Sequence, residues 1–210
     1  GNNHFLDLAL NNAQFICTEL IQDNNAILHQ PRDENRAISG FLDDYAFTIE
    51  AFIALYEATF DQKWLTIARQ LADKTIALFY DADQKTFYYT STEAEELIAR
   101  KSEVMDNVIP SSSSTIVRQL KRLGLLFDDD NYTAIADQLL ANIFPQIKTY
   151  GSAYSNWAIQ LLNEVQGISA TVNLEKGEAK IKSENKIDLQ ELQTSLNDLG
   201  GHYKIYDQDL

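Results

Sequence analysis

Hydrophobic residues recur every three or four positions along most of the first 165 residues, a spacing that is typical of amphipathic α-helices. In the first stretch this stripe includes Phe5, Leu8 and Phe15. Asp61 precedes another such stretch and is a residue type that caps helix starts. The sequence therefore predicts six helices. Their bounds are 5–21, 41–59, 62–79, 114–127, 131–147 and 154–165.

The second predicted helix differs from the others because it is apolar on almost every side. Only its first turn is polar, and that turn contains Asp43, Asp44 and Tyr45. A helix that is apolar all round is expected to be buried all round. We therefore predict that this helix is an inner element of a layered helical fold, with its acidic end at a rim.

The connections between the predicted helices alternate in length. Residues 60–61 and 128–130 form short links, whereas 23–40 and 81–113 form long ones. Short links join antiparallel helices, so the long loops are expected at one end of the bundle. The long loop 81–113 contains a strand-like stretch at 86–90. This pattern predicts a mainly α fold for residues 1–162, a partial (α/α)6 toroid of about three helical hairpins.

Polar residues precede or open the inner helices of this predicted arrangement. Each group alone is explained by capping of the free N–H groups of a helix start. Together they provide the carboxylates, hydroxyls and aromatic rings that a sugar site needs. The three groups are Asp43, Asp44 and Tyr45; Asp106, Ser111 and Ser113; and Tyr154, Ser155, Asn156 and Trp157.

Asp43, Asp44 and Asp106 are the candidate catalytic residues. Glycoside hydrolysis uses two carboxyl groups that flank the scissile bond. Adjacent helical residues point about 100° apart, so Asp43 and Asp44 cannot both face one bond, and Asp106 is a candidate for the second acid. The candidate substrate-binding residues include Arg32, and His29 is the histidine expected near the site. The other binding candidates are Tyr45, Ser111, Ser113, Tyr154, Ser155, Asn156 and Trp157.

Several strings in the helical part resemble one family. They are Leu28-His29 with Arg32, Gly40-Phe41-Leu42-Asp43-Asp44-Tyr45-Ala46-Phe47, Leu55-Tyr56-Glu57-Ala58-Thr59-Phe60-Asp61, Glu95-Glu96-Leu97, Asp106-Asn107-Val108-Ile109-Pro110-Ser111 and Tyr154-Ser155. Together they resemble the spermatogenesis-associated, thioredoxin-domain-containing proteins over residues 3–162. The resemblance implies a toroid related to six-hairpin glycosidases and sugar 2-epimerases, and a family whose activity is poorly defined.

The chain departs from this family pattern in three ways. It contains no thioredoxin-like part, it has three of the six hairpins, and Ser112 and Ser113 stand where the family has Gly and Asn. We therefore expect a fragment of a carbohydrate-active toroid that is inactive alone. Because such a fragment exposes toroid or sheet edges that a second copy could cover, we predict a homo-oligomer. The alternative is a binding or assembly module without catalysis.

Residues 163–210 have a different pattern. Alternating apolar positions near 170–174 and 179–181 predict two strands, a leucine stripe predicts a helix over 189–199, and a last strand is predicted at 202–206. Residues 163–179 resemble the back part of a heavy-metal-associated domain, which implies a small α+β ferredoxin-like piece. The cysteine pair that holds the metal in that family is missing, so the further alternative of metal trafficking lacks its ligands, and we predict no metal site.

Composition narrows the functional classes. The formal net charge of −14 argues against nucleic-acid and anionic-membrane partners, which need basic patches. Cys17 is the single cysteine of the sequence and forms no internal disulfide. No apolar run is long enough to span a membrane. We therefore expect a cytoplasmic protein that uses no cofactor and has a sugar as its candidate ligand.

Overall fold

The structure of the protein is a computed structural model. It describes residues 3–32, 37–94, 99–165, 168–173 and 178–183.

Six α-helices lie in the described part of the chain, close to the predicted bounds. A π-helical turn at Ile16–Leu20 extends the first helix, and a 3₁₀ turn at Gly151–Tyr154 precedes the sixth. The helices are α1 (Asn3–Phe15), α2 (Leu42–Thr59), α3 (Gln62–Phe79), α4 (Ser112–Phe127), α5 (Asp130–Thr149) and α6 (Ser155–Val165). The predicted cap of α3 is confirmed, since Asp61 Oδ1 accepts a hydrogen bond from Lys63 N–H at 3.1 Å.

Four short strands form two antiparallel pairs among the described residues. The first pair is β1 (Tyr80–Asp81) with β2 (Thr86–Phe87), and the second is β3 (Ile168–Asn173) with β4 (Glu178–Ser183). β2 ends earlier than the predicted strand 86–90 because its partner β1 begins only at Tyr80, directly after α3, and Tyr89 N–H bonds instead to Lys101 O at 2.8 Å. The predicted helix 189–199 and strand 202–206 lie outside the described residues.

Two tight connections make helical hairpins. Phe60, at the end of α2, and Asp128, at the end of α4, both adopt left-handed backbone conformations with φ of 56° and 54°. The N–H of each residue bonds to the carbonyl four residues earlier, which closes the helix end before the chain reverses. α2 therefore packs against α3, and α4 packs against α5.

Contacts between the hairpins show that they repeat in the same direction. Arg118 and Arg122 of α4 pair with Glu50 and Glu57 of α2, each at 2.5 Å, so the two helices run parallel. α3 and α5 also run parallel, because Arg69 pairs with Asp129 at 3.4 Å and, further along both helices, the Tyr132 hydroxyl donates to Asp73. The fold is thus mainly α, with parallel α2 and α4 in one layer, α3 and α5 in the other, and a small α+β piece after α6.

Large aromatic side chains fill the space between the layers. The rings of Phe52 and Trp64 lie 5.3 Å apart, and those of Tyr45 and Phe79 lie 5.1 Å apart. Trp157 of α6 is completely buried in the same core. This continuous core fixes the starts of α2, α4 and α6 relative to one another.

One prediction about helix faces was wrong, and a second helix packs through a face that its apolar spacing did not indicate. α2 is not buried on every side, because Ala51, Ala54 and Ala58 form an exposed stripe of small residues. On α1, the apolar stripe that contains Phe5, Leu8 and Phe15 is not the packing face. Phe5 and Phe15 are 67% and 49% exposed, and α1 packs instead through its other side. That packing side contains Leu6, Leu10, Ala13 and Cys17.

The β3–β4 hairpin follows α6 directly. Ile168 pairs with Ser183 at one end of the ladder and Asn173 pairs with Glu178 at the other. β3 lies against α4 and contacts α6. The hairpin therefore packs along part of α4.

Candidate functional site

The start of α2 is built from backbone groups and one carboxylate. Leu42 N–H donates to Tyr89 O at 3.0 Å, and Phe41 N–H donates to Asp44 Oδ2 at 2.8 Å. Asp44 N–H in turn donates to Asp43 Oδ1 at 2.9 Å. Acidic residues in the first turn also interact favourably with the positive end of the helix dipole. Both carboxylates therefore stabilise the helix start, as the capping interpretation predicts.

Asp44 has a second partner outside the helix, His29. The Nδ1 atom of His29 lies 2.9 Å from Asp44 Oδ2. The hydrogen bond to Asp44 is the main reason that the pKa of His29 is raised, and the negative charges of Asp44 and Asp43 add to it. The side chain of His29 is 45% exposed, so the pair lies at the surface.

Asp43 points to a different partner, as the 100° angle between adjacent helical residues predicts. Its Oδ2 accepts a hydrogen bond from the Tyr89 hydroxyl at 3.1 Å. Burial raises the pKa of Asp43, and the negative charges of Asp44 and Glu103 raise it further. Burial beside Asp43 likewise raises the pKa of Tyr89 to about 12.

Aromatic rings connect these two polar pairs. The ring of Phe41 stacks on that of Tyr89, with centroids 5.1 Å apart and planes 7° from parallel. The imidazole of His29 contacts Phe41 in a T-shaped arrangement, with centroids 5.2 Å apart and planes 73° from parallel. Direct contacts therefore link His29 to Phe41, Phe41 to Tyr89, and Tyr89 to Asp43.

Asp106 organises the starts of α4 and α6. Its Oδ1 accepts from Ser111 N–H at 2.9 Å and from the Ser114 hydroxyl at 3.1 Å. Its Oδ2 accepts from Asn156 N–H at 2.8 Å and lies 3.5 Å from the Ser155 hydroxyl. One carboxylate thus satisfies donors at two helix starts.

The segment 101–106 joins this capping centre to the start of α2. Lys101 O accepts from Tyr89 N–H, and Glu103 accepts from the Ser112 hydroxyl at 2.9 Å while its charge acts on Asp43. The starts of α2, α4 and α6 therefore meet at one rim. We call a set of partly or fully exposed residues at this rim the helix-end site. It comprises His29, Phe41, Asp43, Asp44, Tyr89 and Glu103.

Two of the candidate binding residues lie inside the core. Tyr45 is 1% exposed, and its hydroxyl accepts from Ile27 N–H at 2.9 Å. Trp157 is completely buried, and its indole N–H donates to Val104 O at 2.8 Å. Neither ring presents a face to solvent, because both pack between helices, so the predicted stacking on a sugar does not fit their positions. Phe41 and Tyr89 are aromatic residues of this rim that are only partly buried.

The other candidates are distributed around the rim. Ser111 caps α4 by accepting from Ser114 N–H at 3.1 Å, and Ser111, Ser113 and Tyr154 are all buried. Arg32 donates to Gln22 Oε1 at 3.1 Å. It lines a surface depression beside the π-helical turn and not the helix-end site. That depression also includes Thr18, Glu19, Asp23, Asn24 and Leu28.

Sequence reasoning did not identify Phe41, Tyr89 or Glu103 as site residues. The sequence pattern places Tyr89 in a strand, and no local signal distinguishes Glu103 from other surface acids. Among the described residues, no group of three His, Cys, Asp or Glu side chains is arranged to hold a metal ion. Across the same residues, none of the helices combines the length and apolarity needed to cross a bilayer.

Comparison with known proteins gives distant relatives. The chain is 34% identical to spermatogenesis-associated protein 20 of Rattus norvegicus over 85 residues, which is 40% of this chain and 11% of that protein. It is 27% identical to the Homo sapiens protein of the same name over 133 residues, 59% of this chain and 17% of that protein. No family model matches the chain.

A third relative is an uncharacterized protein of Caenorhabditis elegans, 24% identical over 214 residues. This match covers 98% of the chain, so it runs across residue 163, and it covers 29% of the worm protein. The chain thus spans roughly a tenth to three tenths of the length of these curated relatives. None of the comparisons shows a heavy-metal-associated domain. What they show is that the chain is distantly similar to spermatogenesis-associated protein 20.

Proposed function

We propose that the helix-end site binds a carbohydrate and that the chain forms part of a larger toroid carrying this site. The observation that carries the proposal is the stacked Phe41–Tyr89 ring pair with a polar pair at each edge. Sugars present apolar ring faces and hydroxyl rims, so they bind where aromatic surface and hydrogen-bonding groups converge.

The proposal separates binding residues from positioning residues. Tyr89 and His29 contact the ligand and are held by Asp43 and Asp44 respectively, whereas Asp106 holds two helix starts in place. Asp106, Ser111, Ser155 and Asn156 therefore support the site through the backbone. The buried Tyr45, Ser113, Tyr154 and Trp157 support it through the core.

Hydrolysis of a glycoside is not the activity that this geometry favours. That reaction needs one carboxylic acid free to protonate the leaving oxygen and a second carboxylate free to act on the other side of the bond. The carboxylates of Asp43, Asp44 and Asp106 already accept hydrogen bonds from the backbone at helix starts. We therefore propose binding without glycosidase activity for the chain alone.

A thermal-shift screen with monosaccharides and their methyl glycosides tests the proposal. We expect a concentration-dependent rise in Tm that is lost in Tyr89→Leu, which removes the ring stack, and reduced in Tyr89→Phe, which removes the hydroxyl donated to Asp43. Tyr150→Leu is the matched control, because Tyr150 is 62% exposed and lies outside the site. Equal shifts in Tyr89→Leu and Tyr150→Leu would contradict the proposal.

An assembly role is a second candidate function, and a specific observation favours it. Phe5, Leu8 and Phe15 form an exposed apolar side on α1 while the opposite side packs on the core. Large apolar side chains in one exposed patch are typical of interaction surfaces. We propose that this side of α1 contributes to homo-oligomer contacts.

A further inference from the structure

The acidic side chains of the helix-end site already accept hydrogen bonds from other residues of the protein. The histidine of the site differs, because one of its ring nitrogens is available. Both oxygens of Asp43 accept hydrogen bonds, from Asp44 N–H and from the Tyr89 hydroxyl. Asp44 is shared between Phe41 N–H and His29. In the described part of the chain, the contacts of His29 involve Nδ1, while Nε2 has no hydrogen-bond partner.

The position of the His29 ring is held from three sides. His29 N–H donates to Ile38 O at 2.9 Å, which fixes the backbone. Asp44 fixes Nδ1, and Asp44 is itself held by Phe41 N–H in the first turn of α2. The edge-on contact with the Phe41 ring fixes the plane of the imidazole. Nε2 therefore keeps one direction, away from Asp44.

This geometry selects one tautomer for the neutral ring. A carboxylate at Nδ1 keeps the proton on that nitrogen and leaves a lone pair on Nε2. The imidazolium that forms when Nε2 takes a proton is stabilised by Asp44 and, at longer range, by Asp43, and the pKa of His29 is raised accordingly. A group that can accept and return a proton near neutral pH suits general acid–base catalysis.

The exposure of His29 limits the kind of proton it can move. Deprotonating a carbon next to a carbonyl creates an enolate, which needs donors in a site closed to water. His29 is 45% exposed, so its surroundings are open to water. A hydroxyl on the anomeric carbon of a sugar is far more acidic than such a carbon, and its deprotonation requires no enclosure.

We propose that His29 is the proton-transfer residue of the helix-end site, that its substrates are reducing sugars, and that Asp44 is its positioning residue. The inference rests on the proposed carbohydrate binding. His29 Nε2 removes the proton of the anomeric hydroxyl, and the O–H electron pair forms the carbonyl. The bond from the anomeric carbon to the ring oxygen breaks, its electron pair stays on that oxygen, and water supplies a proton there. Ring closure on the other face reverses these steps and converts one anomer to the other.

The test is the rate at which pure α-glucose reaches its anomeric equilibrium with the full chain, followed by polarimetry. The rate at saturating sugar is expected to exceed that of an equal concentration of free imidazole. General acid–base groups contribute roughly 100-fold or more, so His29→Gln is expected to lose about that factor. His4→Gln, on α1, is the matched control and is expected to keep the rate.

The Asp44→Asn variant tests whether Asp44 positions His29 or only stabilises the start of α2. The wild-type rate is expected to rise with pH through the raised pKa of His29, because the neutral ring is the base. Loss of the carboxylate lowers that pKa, so the pH midpoint of the variant moves down while its maximal rate falls. NMR titration of the His29 ring checks the same shift directly. A pH profile that Asp44→Asn leaves unchanged would overturn the positioning role.

Methyl α-glucoside distinguishes the two proposals, since it can bind but cannot open its ring. If it raises Tm and the chain does not accelerate the anomeric change of glucose, carbohydrate binding stands and the role of His29 is refuted. If neither sugar binds, both proposals fail. Hydrogen exchange at carbon 2 of glucose in D₂O that depends on His29 would also overturn the inference, because it assigns the residue to a carbon acid.

Discussion

At the scale of single residues, a carboxylate at a helix start stabilises the fold by accepting backbone hydrogen bonds, and this limits how it can contact a ligand. Asp106 illustrates this, because its two oxygens accept hydrogen bonds from the starts of α4 and α6. Asp43 and Asp44 do the same for α2, and their remaining lone pairs face Tyr89 and His29. Capping and site formation therefore depend on the same side chains at this rim.

Asp106→Ala is expected to lower the free energy of unfolding by roughly 2–4 kcal/mol, because two helix caps of about 1–2 kcal/mol each are lost. Chemical denaturation with both helices monitored by hydrogen exchange measures the effect. Asp83→Ala is the control, since Asp83 is an exposed acid in the turn between β1 and β2. A loss no larger than that of the control would show that the two caps contribute nothing.

The His29–Asp44 pair is expected to make stability depend on pH in one direction. The pKa of His29 is raised in the folded state, so its contribution is fully present below the unfolded pKa and is lost as pH rises through the folded pKa. The Tm difference between wild type and His29→Gln is therefore expected to be larger at pH 5.5 than at pH 8.5. The opposite trend in calorimetric scans would contradict the pairing with Asp44.

At the scale of elements, the hairpins depend on close approach between neighbouring helices. Gly124 lies in the last turn of α4, where α5 begins. A Cβ at this position would lie 2.4 Å from Thr133 Oγ1 and 3.2 Å from Asp129 O. The absence of a side chain at Gly124 therefore sets the distance between the two helices of this hairpin.

Gly124→Ala is expected to destabilise the protein by about 1–3 kcal/mol, because overpacking outweighs the better helix propensity of alanine. Gly151→Ala is the matched control, since a Cβ there meets nothing within 4 Å. Urea denaturation of both variants tests the difference. Equal stabilities would mean that α4 and α5 separate without cost.

At the scale of the whole molecule, the described helices pack in two layers whose outer surfaces differ. β3 covers part of α4, while α1 exposes large apolar side chains and α2 exposes small ones. The net charge of −14 acts against association of two copies, and salt screens that repulsion.

We expect self-association at micromolar concentration that strengthens as salt is raised. Sedimentation velocity measures it. The double variant Phe5→Ser/Phe15→Ser is expected to shift the equilibrium toward monomer, whereas Phe60→Ser, at the exposed tip of the α2–α3 hairpin, is expected to leave it unchanged. A wild-type protein that remains monomeric at high salt would refute the predicted homo-oligomer.

The sequence by itself determined where the helices of the described part begin and end, because caps and apolar spacing act within a few residues. Asp61 and Ser111 illustrate this. It also indicated that acids gather at the starts of inner helices. Periodicity alone did not determine which face is buried, and the stripe on α1 containing Phe5 and Phe15 proved to be the exposed one.

Only the tertiary structure decided the partners of those acids. Asp43 meets Tyr89 from 46 residues away, and Asp106 meets Asn156 from 50 residues away. Such contacts depend on how whole helices pack, and no local pattern encodes the distance between them. For the same reason the sequence indicated the acidic rim, whereas the stacking of Phe41 on Tyr89 and the pairing of His29 with Asp44 depend on the tertiary structure.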